Sequence, residues 1–193
     1  MATVKLLITG DGTDKPAEFP SGIPVPPPHW SNIDEDPADD DTTFIETDDT
    51  LTLRSNCFLK QTLSLPAGAT IDKVTVLARV RRAPNPTWPT TPTGDVGFLI
   101  AGVDYFSGVS IDPPSTYADY TRDFATNPAT VSAWTESDVN GAEAQIKGNS
   151  SRVLRGGIYY YSFYRVTQVY LIVTYTVPVV VKIIGEGLTW VVY

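Results

Sequence analysis

Five closely set aspartates are the residues of this sequence best suited to chemistry. Asp34, Asp36, Asp39, Asp40 and Asp41 lie in SNIDEDPADDDTTFI (31–45) and offer the hard oxygen ligands that hold Ca²⁺. A loop before the first core strand of a β-sandwich is a common place for such an ion. The spacing is not that of an EF-hand, since no Gly stands sixth and no Glu twelfth from Asp34. The competing reading is an acidic solvated loop whose Asp side chains close Asx-turns. Calcium is the one cofactor candidate.

Nucleophilic and acid–base catalysis have little to draw on. The chain holds one His, His29, and one Cys, Cys57, so a Ser-His-Asp triad or a Cys–His pair would have to use His29, which abuts a run of prolines. No Gly-rich phosphate loop, zinc spacing or nucleophile elbow is present. The densest carboxylates lack the apolar setting that raises a general acid's pKa. Cys57, in Cys57-Phe58-Leu59, reads as a buried inert thiol. The expectation is a protein that is not an enzyme.

Binding chemistry has more candidates. Trp88 stands among prolines in PNPTWPTTPTG, and Tyr105, Tyr117 and Tyr120 follow in strand and loop. Aromatic rings there can stack on a glycan or anchor a protein partner, or fold back over the sheet edge. A third group, Val179, Val181, Ile183, Leu188, Trp190 and Val192, gives the C-terminal segment alternating apolar residues suited to contacts with another copy.

The elements that must position these residues are strands. In RVTQVYLIVTYTV (165–177), Val169, Leu171, Val173, Tyr175 and Val177 share one parity, which predicts the central strand. In KVTVLARVR (73–81), Val74, Val76, Ala78 and Val80 alternate with Lys73, Thr75, Arg79 and Arg81, which predicts a sheet with one buried face. Further strands are expected over 42–47, 51–63 with a break near 54–56, 71–82, 96–103, 105–111 and 117–125. The aromatic run IYYYSFY (158–164) reads as core residues and cross-strand pairs. One short helix follows Trp134: Thr135 is placed as N-cap, Asp138 completes a capping box, Trp134 staples to Val139, and Ala142 and Ile146 continue that face.

Composition bounds the rest. At 193 residues with 42% hydrophobic content the chain can bury one full core. The net charge of −8 belongs to one stretch: nine acids and no base lie between Asp34 and Asp49, while elsewhere 13 acids face 14 bases. The groups Arg79/Arg81/Arg82 and Arg152/Arg155/Arg165 are too dilute for a basic stripe, so no nucleic-acid partner is expected. No apolar run is long enough to span a bilayer and the N-terminus lacks a signal-peptide pattern, so no membrane partner and a cytoplasmic origin are expected.

Together these predict an all-β fold, a two-layer antiparallel jelly-roll-like β-sandwich, with three parts. Residues 1–29 form an arm in which Val4–Ile8 can make a short strand and which ends in the polyproline connector Pro24–Pro28, read either as a tether to another subunit or as a leader packed on its own domain; 30–177 form the sandwich, and 178–193 a C-terminal strand or hairpin extension.

One ordered set of segments resembles a known group. Trp30…Ile33-Asp34-Glu35…Asp39-Asp40-Asp41-Thr42-Thr43-Phe44-Ile45 comes first, then Ile71-Asp72-Lys73-Val74-Thr75-Val76 with Ala78-Arg79. Thr126-Asn127-Pro128-Ala129-Thr130…Ala133-Trp134-Thr135…Asp138-Val139-Asn140 follows, and Arg165–Tyr175 closes the series. Over about residues 30–177 this order resembles a β-sandwich module of virion structural proteins from tailed phages and prophages. The resemblance implies a virion location after assembly in the host cytoplasm. It implies a non-enzymatic, capsid-associated decoration subunit, with a neck or tail station as a variant, and brings no catalytic residues. The implied partners are further copies of the chain and other virion proteins such as a major capsid protein. The alternative is a carbohydrate-binding or adhesin module with a glycan on Trp88, Tyr105, Tyr117 and Tyr120.

Overall fold

The computed structural model describes residues 1–13, 29–40, 42–49, 51–83, 90–178, 181–184 and 187–190, the last two segments as backbone. Twelve strands are present among them: β1 (Ala2–Asp11), β2 (Ile45–Glu46), β3 (Arg54–Lys60), β4 (Thr70–Ala83), β5 (Thr93–Ile100), β6 (Val103–Phe106), β7 (Ala118–Phe124), β8 (Glu143–Asn149), β9 (Ser151–Arg155), β10 (Ile158–Thr176), β11 (Val181–Ile184) and β12 (Gly187–Trp190). The single α-helix among the described residues, α1, is Glu136–Gly141, and a 3-10 turn covers Trp30–Asn32.

Ten strands make one antiparallel sheet, ordered β6-β5-β8-β3-β1-β10-β4-β7, with β2 and β9 also paired to β10. The all-β expectation therefore holds. The hydrogen bonding is that of one continuous sheet curled into a half-barrel, not of two separate layers. Strand β1 makes it continuous: residues 2–7 pair with β10 and residues 8–11 with β3, across a register shift. The curl brings distant strands together, so Phe98 of β5 meets Phe124 of β7 edge-on at 4.9 Å and Trp134 at 5.2 Å. These rings lie in a core that also holds Phe58, Tyr164, Ile33 and Leu171.

Alternation explains the two longest strands. Val74, Val76, Ala78 and Val80 of β4 are fully buried, as a half-covered strand requires. In β10 the inward parity changes partway: Tyr164 and Val166 are buried before Thr167, then Val169, Leu171 and Val173 after it. The change falls at a register shift between Val166 and Gln168 against β4, so Thr167 is the extra residue of a β-bulge that rotates the strand by one position.

Three expectations need correction. Residues 2–11 are not part of a reaching arm. Leu6 and Ile8 are 2% and 3% exposed, and hydrophobic burial on that scale places β1 inside the sheet. The prolines of the expected connector lie outside the described residues. Ile146 does not continue the helix face but belongs to β8, where Ala144 and Ile146 point to the core. Strands β8, paired with β3 and β5, and β9, paired with β10, are additional to the expected ones, and the break expected near 54–56 is absent, since β3 begins at Arg54.

The helix N-terminus is as read from the sequence. The Thr135 hydroxyl accepts from Asp138 N at 3.1 Å and Thr135 N donates to Asp138 Oδ2 at 2.9 Å, and Trp134 and Val139 are both buried. No helix among the described residues is long and apolar enough to cross a membrane.

Candidate functional site

The acidic segment forms a flap over the outer face of the sheet. It leaves the core at Ile33, which is fully buried and whose carbonyl accepts from Val169 N at 3.2 Å. It returns at β2, where Ile45 pairs with Val166. Between these points the bulge of β10 holds it: the Thr167 hydroxyl reaches Asp40 O at 2.9 Å and Thr43 O at 3.0 Å, and Gln168 Nε2 donates to Glu35 O.

The carboxylates on the flap divide between basic side chains and Thr43. Asp36 meets Lys5 of β1 at 2.8 Å. Asp40 takes a bidentate grip from Arg79 of β4, with Nε at 2.6 Å and Nη2 at 3.0 Å. Asp39 accepts from Thr43 N at 3.2 Å and lies within 3.0 Å of its hydroxyl, closing the loop locally. Glu35 Oε1 lies 2.6 Å from the same hydroxyl. At the base Glu46 pairs with Arg165 at 2.8 Å, and that guanidinium lies 3.6 Å from the Phe44 ring centre.

Burial raises the carboxyls of Asp34 and Glu35 above their ordinary values, with the charge of Asp39 adding to both. The Arg79 guanidinium is pushed up by its bonds to Asp40 and Asp119. Of the described calcium candidates, Asp36 and Asp40 turn away to Lys5 and Arg79, while Asp34 and Asp39 lie close enough to interact. Among the described residues no group of three or more His, Cys, Asp or Glu side chains is placed to hold a metal, and Asp41 lies outside those residues. Asp36, Asp40 and Glu46 act as counter-ions to cations of β1, β4 and β10.

The aromatic candidates are dispersed. Tyr117 lies outward against Arg81 and Arg79, with ring-centre distances of 5.1 and 5.7 Å. Tyr120 lies in β7 with its ring packed against the core and its hydroxyl donating to Asp112 O at 3.0 Å. Tyr105 pairs with Phe98 across β5 and β6, at the other end of the strand order. Trp88 lies outside the described residues. Of the assembly candidates, Val181, Ile183, Leu188 and Trp190 fall on the β11–β12 pair, where Val181 faces Trp190 and Ile183 faces Leu188 in register. Val179 and Val192 lie outside the described residues.

Two features were missed by sequence reasoning. The first is the hairpin of β9 and the start of β10, closed by Gly156-Gly157, both at positive φ; two such residues make the turn that fits a two-residue hairpin. Its aromatic run is not all core. Tyr164 is buried, whereas Tyr159, Tyr161 and Phe163 line the outer face, with the Tyr161 and Phe163 rings parallel at 6.3 Å. Arg152 lies 4.3 Å above Tyr159, and Leu154, Ile158 and Tyr159 are each about half exposed at the tip.

The second is a cleft of about 230 Å³ over two alternate rungs of β5 and β8, Thr93 opposite Asn149 and Asp95 opposite Lys147, with Gly94 opposite Gly148 between them. Asp95 is 4% exposed, and its carboxylate accepts from Val96 N at 2.8 Å, from Gly108 N at 2.9 Å and from the Ser107 hydroxyl. Lys147 Nζ sits 4.0 Å from Asp95 Oδ2 and 3.9 Å from the Phe106 ring centre. Ser110 and Leu53 line the cleft as well. With β8 unforeseen, nothing in the sequence set Lys147 opposite Asp95.

No protein-family model matches the chain, and no curated protein matches it. The virion resemblance therefore rests on the ordered segments quoted from the sequence.

Proposed function

We propose that this chain is a non-enzymatic assembly subunit, a rigid curled sheet that joins further copies of itself through its C-terminal hairpin. The observation that carries the reading is that β11 and β12 form a two-stranded sheet of their own, with no ladder to the ten-stranded sheet among the described residues. An isolated two-stranded hairpin is marginal in water. The segment 177–193 carries only Lys182 and Glu186 as charged residues, a composition suited to burial against another surface. The finer reading, a capsid-associated virion subunit, takes its support from the sequence resemblance.

The test compares the full chain with a version ending at Val177 by sedimentation and by thermal melting. The expected result is an oligomer for the full chain and a monomer for the shortened one, both with a cooperative melt. A full chain that is monomeric at all concentrations sinks the assembly reading. The virion reading is tested separately, by the copy number of this protein against the major shell protein in purified particles, and absence from particles removes it.

A further inference from the structure

The cleft over the Thr93–Asn149 and Asp95–Lys147 rungs has no part in the assembly reading, yet its groups are arranged for a ligand. Its floor comes from two alternate rungs of one strand pair, on the same face of the sheet, which fixes the polar groups relative to one another. The buried Asp95 carboxylate is held by three donors, two on Oδ1 and one on Oδ2, and offers its one remaining lone-pair site, on Oδ2, at a fixed position. The Lys147 side chain is 28% exposed and its ammonium makes no side-chain hydrogen bond among the described residues; its neighbours are the Asp95 carboxylate at 4.0 Å and the Phe106 ring. An ammonium carries three donors, so these face the cleft's contents or solvent. Asn149 Oδ1 accepts from Thr93 N at 3.0 Å and from its hydroxyl at 2.9 Å, which sets the amide orientation and leaves the Asn149 NH₂ as a second donor group.

Charge then selects the ligand class. One carboxylate and one ammonium in contact sum to zero, so an anion drawn to Lys147 meets Asp95, and a cation drawn to Asp95 meets Lys147. Neither charged class gains. A hydroxyl both donates and accepts, and a ring bearing several can satisfy the donors and acceptors of this floor together. The volume of about 230 Å³ is below that of a drug-sized pocket and suits a single ring. Leu53 at the rim, 56% exposed, gives an apolar edge for the C–H face of such a ring. The mouth is open: a Cβ at Gly108 would meet nothing within 4 Å.

We propose that this cleft binds a neutral, hydroxyl-rich ring of monosaccharide size, free or at the end of a glycan, through Lys147, Asn149 and Asp95.

The test is an amide-shift titration of the full chain with D-glucose, D-galactose and N-acetyl-D-glucosamine, and with acetate as the anionic arm. Saturable shifts at Asp95, Gly108 and Lys147 with at least one sugar are expected at millimolar concentration. Lys147→Met removes the charged donor and is expected to weaken that sugar by about tenfold or more. Leu53→Trp fills the rim from an exposed position, so it is expected to abolish the shifts with the rest of the spectrum unchanged. The proposal is overturned if none of the sugars shifts these amides, if acetate alone does, or if Leu53→Trp binds as the parent does.

Discussion

Replacing Thr167 by Val isolates the contact that docks the acidic flap. The side chain is fully buried at the β10 bulge, and its hydroxyl lies 2.9 Å from Asp40 O and 3.0 Å from Thr43 O. Val keeps the β-branched shape and the strand preference, so the change amounts to one lost donor and two part-buried carbonyls left short of it. A typical hydrogen bond contributes about 1 kcal/mol net, and stranding its part-buried partners raises the cost toward about 3 kcal/mol. At roughly 2–4 °C per kcal/mol for a chain of this size, Tm should fall by about 3–10 °C. In urea the midpoint should drop with the m-value unchanged, since the same surface is exposed on unfolding. Amide exchange gives the local readout: residues 34–43 should lose protection beyond the global loss, and Thr167→Ser, which keeps the hydroxyl, should restore it. A Thr167→Val protein within about 0.5 kcal/mol of the parent, with unchanged exchange over 34–43, would refute the docking argument.

Two further outcomes follow from the flap. Burial raises the Glu35 carboxyl above its ordinary value, so the folded state holds that proton more tightly than the unfolded chain does. Its favourable contribution is full below the ordinary value and is lost as pH rises through the folded one. Glu35→Gln should therefore melt above the parent at neutral pH, and the gap should close as pH falls below about 4.5, the ordinary value. A gap that widens in acid contradicts the assignment. Asp123 and Asp138 are shifted the other way by bonds from Lys73 and Thr75 and from Thr135, and the difference between variant and parent cancels them. Millimolar calcium should leave Tm unchanged, because Asp36, Asp39 and Asp40 are turned to Lys5, Thr43 and Arg79; a rise by mass action would restore the calcium reading.

Sequence periodicity revealed β4 and missed β8. The core parity of β4, Val74, Val76, Ala78 and Val80, alternates with Lys73, Thr75, Arg79 and Arg81 in the sequence, although Thr75 and Leu77 are buried as well. Strand β8 carries Gln145, fully buried and bonded to Asp104 Oδ1 at 3.0 Å, beside Ala144 and Ile146, so its inner and outer positions differ little in exposure and the period-two signal fades. Reading Ile146 into the helix face followed from that. The capping box was legible because Thr135 and Asp138 satisfy each other within three residues. The bulge at Thr167 was not, because its cause is a loop more than a hundred positions earlier in the chain. The same holds for the cleft, whose charged pair exists only through the β5–β8 register.

The distribution of charge bears directly on which surfaces are left for partners. Residues 144–185 contain no acid and five bases, while the acids of 34–49 lie across the sheet against Lys5, Arg79, Arg165 and Arg54. The flap therefore pairs four cations within the molecule, and an anion approaching Arg79 would have to displace a bidentate contact already made. The tip of the β9–β10 hairpin, which the flap leaves uncovered, is mixed: Leu154, Ile158 and Tyr159 are about half exposed, and Arg152 and Arg155 are exposed beside them, with Arg152 4.3 Å above the Tyr159 ring. Burial of this tip would therefore draw on apolar area and on the cation–π pair together.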